Sequence, residues 1–308
     1  MALGDAQKSR MARSTAEGAC ALRAAGATLR DSELRNPDYL AADFIAPGLK
    51  ATALVKLPLV RRLMPRLFEA ILPGSFWFEL GRTHHMDEVL LGEVRDGAEQ
   101  VVFLGAGLDS RAYRLRDELA TATLFEVDHP VTAAVKRERL EAIFGGMPEH
   151  VRYVHVDFNS EDVGERLAAH GFDESARSIV LWSGVTPYLE PEGVAESLRW
   201  FARATGPGSA ICFDYLWKEM LDGDDSFHGA KELRKRVAAG GEPFRFGIPR
   251  GESQAFVEQF GLVLEEDLGP EDAQERLLHG AGEPYGFGGM ALVRNPGNPG
   301  AEGSETPA

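Results

Sequence analysis

At 308 residues, with 44% hydrophobic and 26% charged side chains, the chain has the size and composition of one large α/β unit rather than of a disordered or fibrous protein. Acidic residues outnumber basic ones by 48 to 33, a formal charge of −15, so nucleic acid and anionic membranes are not expected as partners. Two cysteines, Cys20 and Cys212, lie far apart with no CxxC spacing; neither a disulfide framework nor a zinc site is implied, and a reducing, cytoplasmic setting is expected.

Residues 1–14 read as a flexible N-terminus that lacks the apolar stretch of an export signal. Residues 15–97 read as a helical cap. It opens with a helix from Thr15 to Arg30 and continues through Leu54, Leu57, Leu59, Leu63, Phe68, Ile71 and Leu72, cut into short pieces by Pro58, Pro65 and Pro73. Lys56, Arg61, Arg62 and Arg66 interleave with those leucines, the pattern of an amphipathic helix with a solvated basic face. His84 and His85 are adjacent, so on a helix they diverge by about 100° and lack the i, i+4 spacing of a zinc pair. No metal is expected.

Residues 98–294 change to an α/β pattern. VVFL at 101, TLFEV at 123, VRYVHV at 151, SIVLW at 178 and AICFDYL at 210 alternate with helical stretches, which predicts a parallel sheet covered on both faces. Residues 217–260 mix helical and Gly/Pro-rich pieces and read as a lid insertion over a substrate. LVLEE at 262 and GGMALVR at 288 are expected to pair antiparallel at one sheet edge. From Asn295 the chain is nearly all Gly, Pro, Ala and small polar residues, so 295–308 reads as a disordered tail.

The chemistry concentrates at the strand ends. Val101 to Leu115 runs a strand into Gly105-Ala106-Gly107 and then a helix, which exposes backbone to a ligand beneath a helix N-terminus; the plainer reading is a tight βα turn. A dinucleotide fingerprint wants a third glycine at position 110, where this chain has Ser110. Glu126 and Asp128 end the second strand on one side of it, and Asp128, nearer the C-terminal end, is chosen to accept the hydroxyls of an adenosine ribose. Asp157 and Phe158 follow the third strand, where an acid can bond an adenine amine and an aromatic ring can cover its face; a helix cap and core filler are the alternatives. The fourth strand runs into Trp182-Ser183-Gly184-Val185-Thr186-Pro187-Tyr188.

The segments GRTHHMDEVL at 81, LGAGLDSRAYRL at 104, FEVDHP at 125, VDF at 156 and SGVTPYL at 183 together resemble the leucine carboxyl methyltransferase-like family, in its bacterial branch associated with polyketide-type small molecules. With TAEGACALRA near the start and GEPFRFGIPRGE, EEDLGPED and GEPYGFGGMAL later, the resemblance spans roughly residues 15 to 293. It implies a class I, Rossmann-like methyltransferase fold: a seven-stranded, mostly parallel sheet in the order 3-2-1-4-5-7-6, flanked by helices, with a helical N-terminal cap. It implies S-adenosylmethionine as cofactor. Arg82 would pair with the cofactor carboxylate, Gly105 would line its amino-acid end, Asp128 would hold the ribose, and Asp157 and Phe158 would flank adenine. Many relatives open the next motif with glutamate; here Ser183 stands in its place and cannot supply that charge to the cofactor ammonium. Tyr188 matches a tyrosine near the methyl acceptor, although a half-buried ring at a strand end is an equally good account of it.

Methyl transfer from a sulfonium needs alignment more than acid–base chemistry. A carboxylate acceptor is ionised near neutral pH, whereas a phenol would gain from a base, and neither His129 nor His155 stands out as one. The expected activity is therefore carboxyl O-methylation of a small metabolite, with hydroxyl methylation next. The rivals are an NAD-dependent oxidoreductase, a cofactor-binding regulator without turnover, and methylation of a protein C-terminus. Oligomeric state is not legible in the sequence.

Overall fold

The computed structural model describes residues 5–45, 58–158, 161–240 and 243–297, with side chains placed over 16–45, 63–158, 161–237 and 243–297. Expectations on residues 1–4, Leu54 to Leu57 and 298–308 fall outside that range. Seven strands form one sheet: β1 (Gln100–Leu104), β2 (Thr123–Asp128), β3 (Val151–His155), β4 (Ser178–Trp182), β5 (Ala210–Leu216), β6 (Val263–Leu268) and β7 (Gly288–Arg294). Their order is β3-β2-β1-β4-β5-β7-β6, as the resemblance implies. The first five run parallel, and β7 lies antiparallel between β5 and β6.

The sheet follows from alternation. Val102 and Leu104 pack on one face with Phe125, Val127, Val180 and Trp182, while Val101 and Phe103 pack on the other with Leu124, Ile179 and Leu181. Strands covered on both faces need apolar residues at every position, which is why β1, β4 and β5 read as unbroken apolar runs. Each such buried side chain contributes roughly 1.5–3 kcal/mol. One face is covered by α5 (Val163–Ala169) and α6 (Pro191–Arg203), through Leu167, Val194, Leu198 and Phe201. The other is covered by α1 (Asp5–Gly26), α3 (Ser75–Arg95) and α4 (Pro130–Phe144), through Cys20, Met86, Leu90 and Leu140.

Several boundaries differ from the sequence reading. Helix α1 begins at Asp5 rather than Thr15, so residues 5–14, expected to be flexible, carry helix built on the good formers Ala, Gln, Lys, Arg and Met. Pro65 does not break α2 (Pro58–Ile71) but sits inside it; it removes one backbone donor while the apolar side chains Met64 and Phe68 still pack against Phe76 and Leu80. Asn295 belongs to the fold, not the tail: it is buried, and its side-chain amide donates to Thr205 O and Oγ1 and to Ala202 O. Residues 217–260 hold the single turns Lys218–Asp222 and Ser253–Glu258 on either side of α7 (Ala230–Gly240). Among the described residues no helix is long and apolar enough to cross a membrane.

Candidate functional site

The C-terminal ends of β1, β2 and β4 converge with α1 and α3 on one cavity of about 380 Å³. Gly105 turns the chain out of β1 with φ +70°, and a Cβ there would meet Val185 Cγ2 at 2.4 Å, so both conformation and space require glycine. Gly107, at φ +44°, leaves open ground; a Cβ on it would meet nothing nearer than Gly105 O at 3.8 Å. Gly105 and Ala106 both donate to Val127 O, at 2.8 and 3.0 Å, and Gly107 N donates to Asp128 Oδ2 at 2.6 Å. The other carboxylate oxygen of Asp128 accepts from His129 N at 2.7 Å. Burial pushes this carboxyl above the usual range, against those two amide bonds.

Glu126, the other acid of the strand, is occupied elsewhere, bonded to Lys136 Nζ at 2.6 Å and to Tyr113 OH at 2.8 Å in the core. Ser110, where a dinucleotide fold would place its third glycine, ties the loop to the cap by donating to Asp38 Oδ1 at 2.5 Å.

Helix α3 brings Glu79 and Arg82 to the same cavity. Arg82 donates to Asp214 Oδ2 on β5 at 2.7 Å and to Glu79 through its other terminal nitrogen. Burial opposes the Arg82 charge, but Asp214 and Glu79 more than offset it, holding the guanidinium above its ordinary range. Asp214 Oδ1 also accepts from Gly184 N at 2.6 Å, which links β5 to the loop after β4. From α1, Arg23 reaches Asp38 Oδ2 at 2.8 Å, Glu79 Oε1 at 3.1 Å and Leu108 O at 2.8 Å, and Ala16, Ala19 and Leu22 complete that wall.

Away from this charged corner the cavity becomes apolar and aromatic. Tyr188 lies in a 3₁₀ turn with its ring 5.3 Å from that of Phe244, and Arg245 N and Phe246 N both donate to Pro187 O, holding the two segments together. Tyr285 is stacked between Phe78 and Phe287, with centroids 3.9 and 4.3 Å away. Its backbone donates to Gly74 O, and a Cβ on Gly74 would strike Tyr285 N at 2.3 Å. Burial raises the Tyr285 phenol well above its usual range, and Asp214 adds to the effect.

Of the residues singled out in the sequence, Arg82, Gly105, Ala106, Gly107, Asp128, Phe158, Ser183 and Tyr188 all line this cavity, and Asp157 does not. The third strand stops at His155, earlier than its apolar pattern suggests. Asp157 then opens a turn in which its amide donates to Glu161 Oε2 and its carbonyl accepts from Glu161 N. Phe158, the next residue, is on the cavity wall.

A model of the leucine carboxyl methyltransferase family matches residues 16–202, more than half of the chain. The chain belongs to this family. Among its relatives, YktD of Bacillus subtilis (strain 168) is 30% identical over 196 residues, covering 64% of each chain. SCO6443 of Streptomyces coelicolor is 34% identical over 205 residues, covering 65% of this chain and 67% of that one. Both are assigned as S-adenosyl-L-methionine-dependent methyltransferases. The chain thus spans just under two thirds of the length of YktD. A methyltransferase structure from Thermobifida fusca YX superposes with a TM-score of 0.52 at 17% identity, covering 76% of this chain and 88% of that one. The sheet order and this likeness place the chain in the class I methyltransferase fold.

In this member of the leucine carboxyl methyltransferase family, Glu79, Asp214, Arg23 and Tyr285 also belong to the site and were not foreseen. Two of them left a signal. Asp214 is the one charge in the apolar run AICFDYL, and a charge inside a central strand demands a partner; Glu79 stands three residues before Arg82, on the same helix face. Arg111 and Arg114, on the turn of helix after the bend, are both buried and pair with Asp87. Among the described residues no group of three or more metal-competent side chains is found.

Proposed function

We propose that the chain is an S-adenosylmethionine-dependent O-methyltransferase that esterifies the carboxylate of a small, largely apolar metabolite of polyketide type. The observation that carries this reading is the continuity of one cavity, from the Gly105–Gly107 bend and Asp128, past Arg82, into the chamber of Tyr188, Phe244 and Tyr285.

The residues present fit the cofactor. Asp128 has each carboxylate oxygen fixed by one amide and keeps lone pairs for the two ribose hydroxyls. Gly107 leaves room for the nucleoside, Phe158 offers a ring face at the adenine end, and Arg82 offers a guanidinium to the amino-acid carboxylate. When bound, S-adenosylmethionine supplies a methyl group made electrophilic by its sulfonium.

The protein then has to hold an acceptor oxygen in line and exclude water. Tyr188 and Tyr285 line the chamber with phenols, which are hydrogen-bond donors at physiological pH. Among the described residues the one imidazole on the cavity wall is that of His129, beside Asp128, which caps α4 by accepting from Val131 N at 3.2 Å. An acceptor that arrives ionised needs no base, which favours a carboxylate over a hydroxyl. With the methyl donor held by Asp128 and Arg82, Tyr188 and Tyr285 would steer a carboxylate oxygen toward that methyl group, and the products would be a methyl ester and S-adenosylhomocysteine.

The test is turnover with S-adenosylmethionine and a panel of aromatic and polyketide carboxylic acids, each paired with the corresponding alcohol or phenol, read as S-adenosylhomocysteine release. Methyl esters from the acids support the assignment. Methylation confined to the hydroxyl compounds would overturn it.

A further inference from the structure

Two carboxylates face one guanidinium at the amino-acid end of the cavity, and both are almost sealed from solvent, Glu79 at 4% and Asp214 at 3% exposure. Arg82 bonds both, and Arg23 bonds Glu79 and Asp38. Two guanidiniums therefore meet three carboxylates before any ligand arrives. The cavity wall as a whole has Arg23 and Arg82 against Glu79, Asp109, Asp128 and Asp214. Asp109 has its own partner in Arg111, but the corner at Arg82 keeps a surplus of negative charge. A buried charge without a counter-ion is strongly unfavourable, and a ligand cation placed there relieves it.

The carboxylates are not equivalent. Glu79 is bonded by two guanidiniums, and Asp38 by Arg23 and Ser110. Asp214 has one guanidinium and one neutral amide, Gly184 N, and keeps the lone pairs to accept more. Its position suits the task. Asp214 follows Phe213, the register partner of Trp182, so it stands beside Ser183 at the end of the neighbouring strand. An α-amino acid carries its two charges on one carbon, and the succession of Arg82 and Asp214 along the wall matches that pair of charges.

We propose that Asp214 binds the α-ammonium group of the cofactor, supplying from β5 the negative charge that Ser183 lacks at the end of β4. Arg82, shared between Glu79 and Asp214, takes the carboxylate of the same amino-acid group. The inference rests on the S-adenosylmethionine reading of the cavity and goes beyond it in naming the ammonium receptor.

The test is calorimetric binding of three probes: S-adenosylhomocysteine, its deamino analogue with hydrogen in place of the amine, and methylthioadenosine, which has no amino-acid end. In Asp214→Asn, affinity for S-adenosylhomocysteine falls about 10- to 100-fold, the scale of one hydrogen bond between charged groups. The deamino analogue and methylthioadenosine bind the variant as they bind the wild type. A loss of the same size for the deamino analogue overturns the proposal, because Asp214 then acts only by shaping Arg82 and the Gly184 loop. Unchanged affinity for S-adenosylhomocysteine overturns it equally. If Asp214→Asn does not fold, the wild type decides: equal affinity for the amine and deamino ligands is contrary, and a preference of ten-fold or more for the amine, retained in Asp214→Glu, is in favour. Failure of the wild type to bind both S-adenosylhomocysteine and methylthioadenosine would instead remove the cofactor reading itself.

Discussion

Gly107 N lies 2.6 Å from Asp128 Oδ2, so the bend after the first strand and the acid that ends the second are joined directly, 21 residues apart in the chain. This bond fixes the carboxylate rotamer at the mouth of the cavity before any ligand is present. Preorganisation of that kind lowers the ordering entropy lost on binding.

Gly105→Ala tests the bend. The substitution forces a side chain into φ +70° and against Val185 Cγ2, each unfavourable by itself. A loss of about 1–3 kcal/mol in unfolding free energy is expected, with weaker S-adenosylmethionine binding in the folded fraction. Denaturant titration followed by calorimetry checks both.

Arg23→Met tests how α1 is held over the site. Arg23 ties that helix to Asp38, Glu79 and Leu108 O, and removing one partner of a buried ion pair leaves carboxylates uncompensated. The expected loss is roughly 3 kcal/mol, read by urea unfolding, and cofactor affinity falls with it because Ala16, Ala19 and Leu22 of the same helix form the wall.

Tyr188→Phe and Tyr285→Phe separate alignment from packing. Phenylalanine at 285 keeps the stack with Phe78 and Phe287 and removes only the hydroxyl. For each variant the turnover number falls about 10- to 100-fold, the scale of one hydrogen bond to a charged acceptor, while S-adenosylmethionine affinity stays at the wild-type value. Steady-state kinetics beside calorimetry distinguish this from general damage.

Acid pH offers a fourth check. His85 is buried, its Nε2 is 3.5 Å from Glu266 Oε2, and Glu88 and Arg276 complete its charged surroundings. Burial lowers its pKa below 6.5 despite Glu266, so the folded state holds it neutral while the unfolded chain protonates near 6.5. The unfolded state then binds more protons, and this contribution to stability is complete above about pH 6.5 and declines as pH falls below it. The difference in Tm between pH 7.5 and 5.5 is expected to shrink in His85→Gln. An undiminished difference would exclude His85 as its source.

The parallel core was legible because strands buried on both faces leave unbroken apolar runs, and Gly105 and Asp128 because the bend and the acid sit where such strands must end. The antiparallel pairing expected between LVLEE at 262 and GGMALVR at 288 was equally readable, and it joins 263–268 to 290–294. Asp157 does not line the cavity: it follows the end of the third strand, where its amide is engaged with Glu161. Arg82 was found without its partners: Asp214 lies 132 residues away, a separation that carries no local pattern. Tyr285 was hidden for the same reason, in a turn-rich stretch whose role appears only when Gly74 and Phe78 of the cap pack against it.

The most direct measurement is calorimetric titration of S-adenosylmethionine into wild type and Asp128→Ala, with thermal unfolding to confirm that both are folded. One site per chain is expected in the wild type, weakened about 100-fold or more in the variant, as two hydroxyl bonds to a carboxylate are lost. Equal affinities would contradict the proposition that the first two strand ends meet on the same nucleoside.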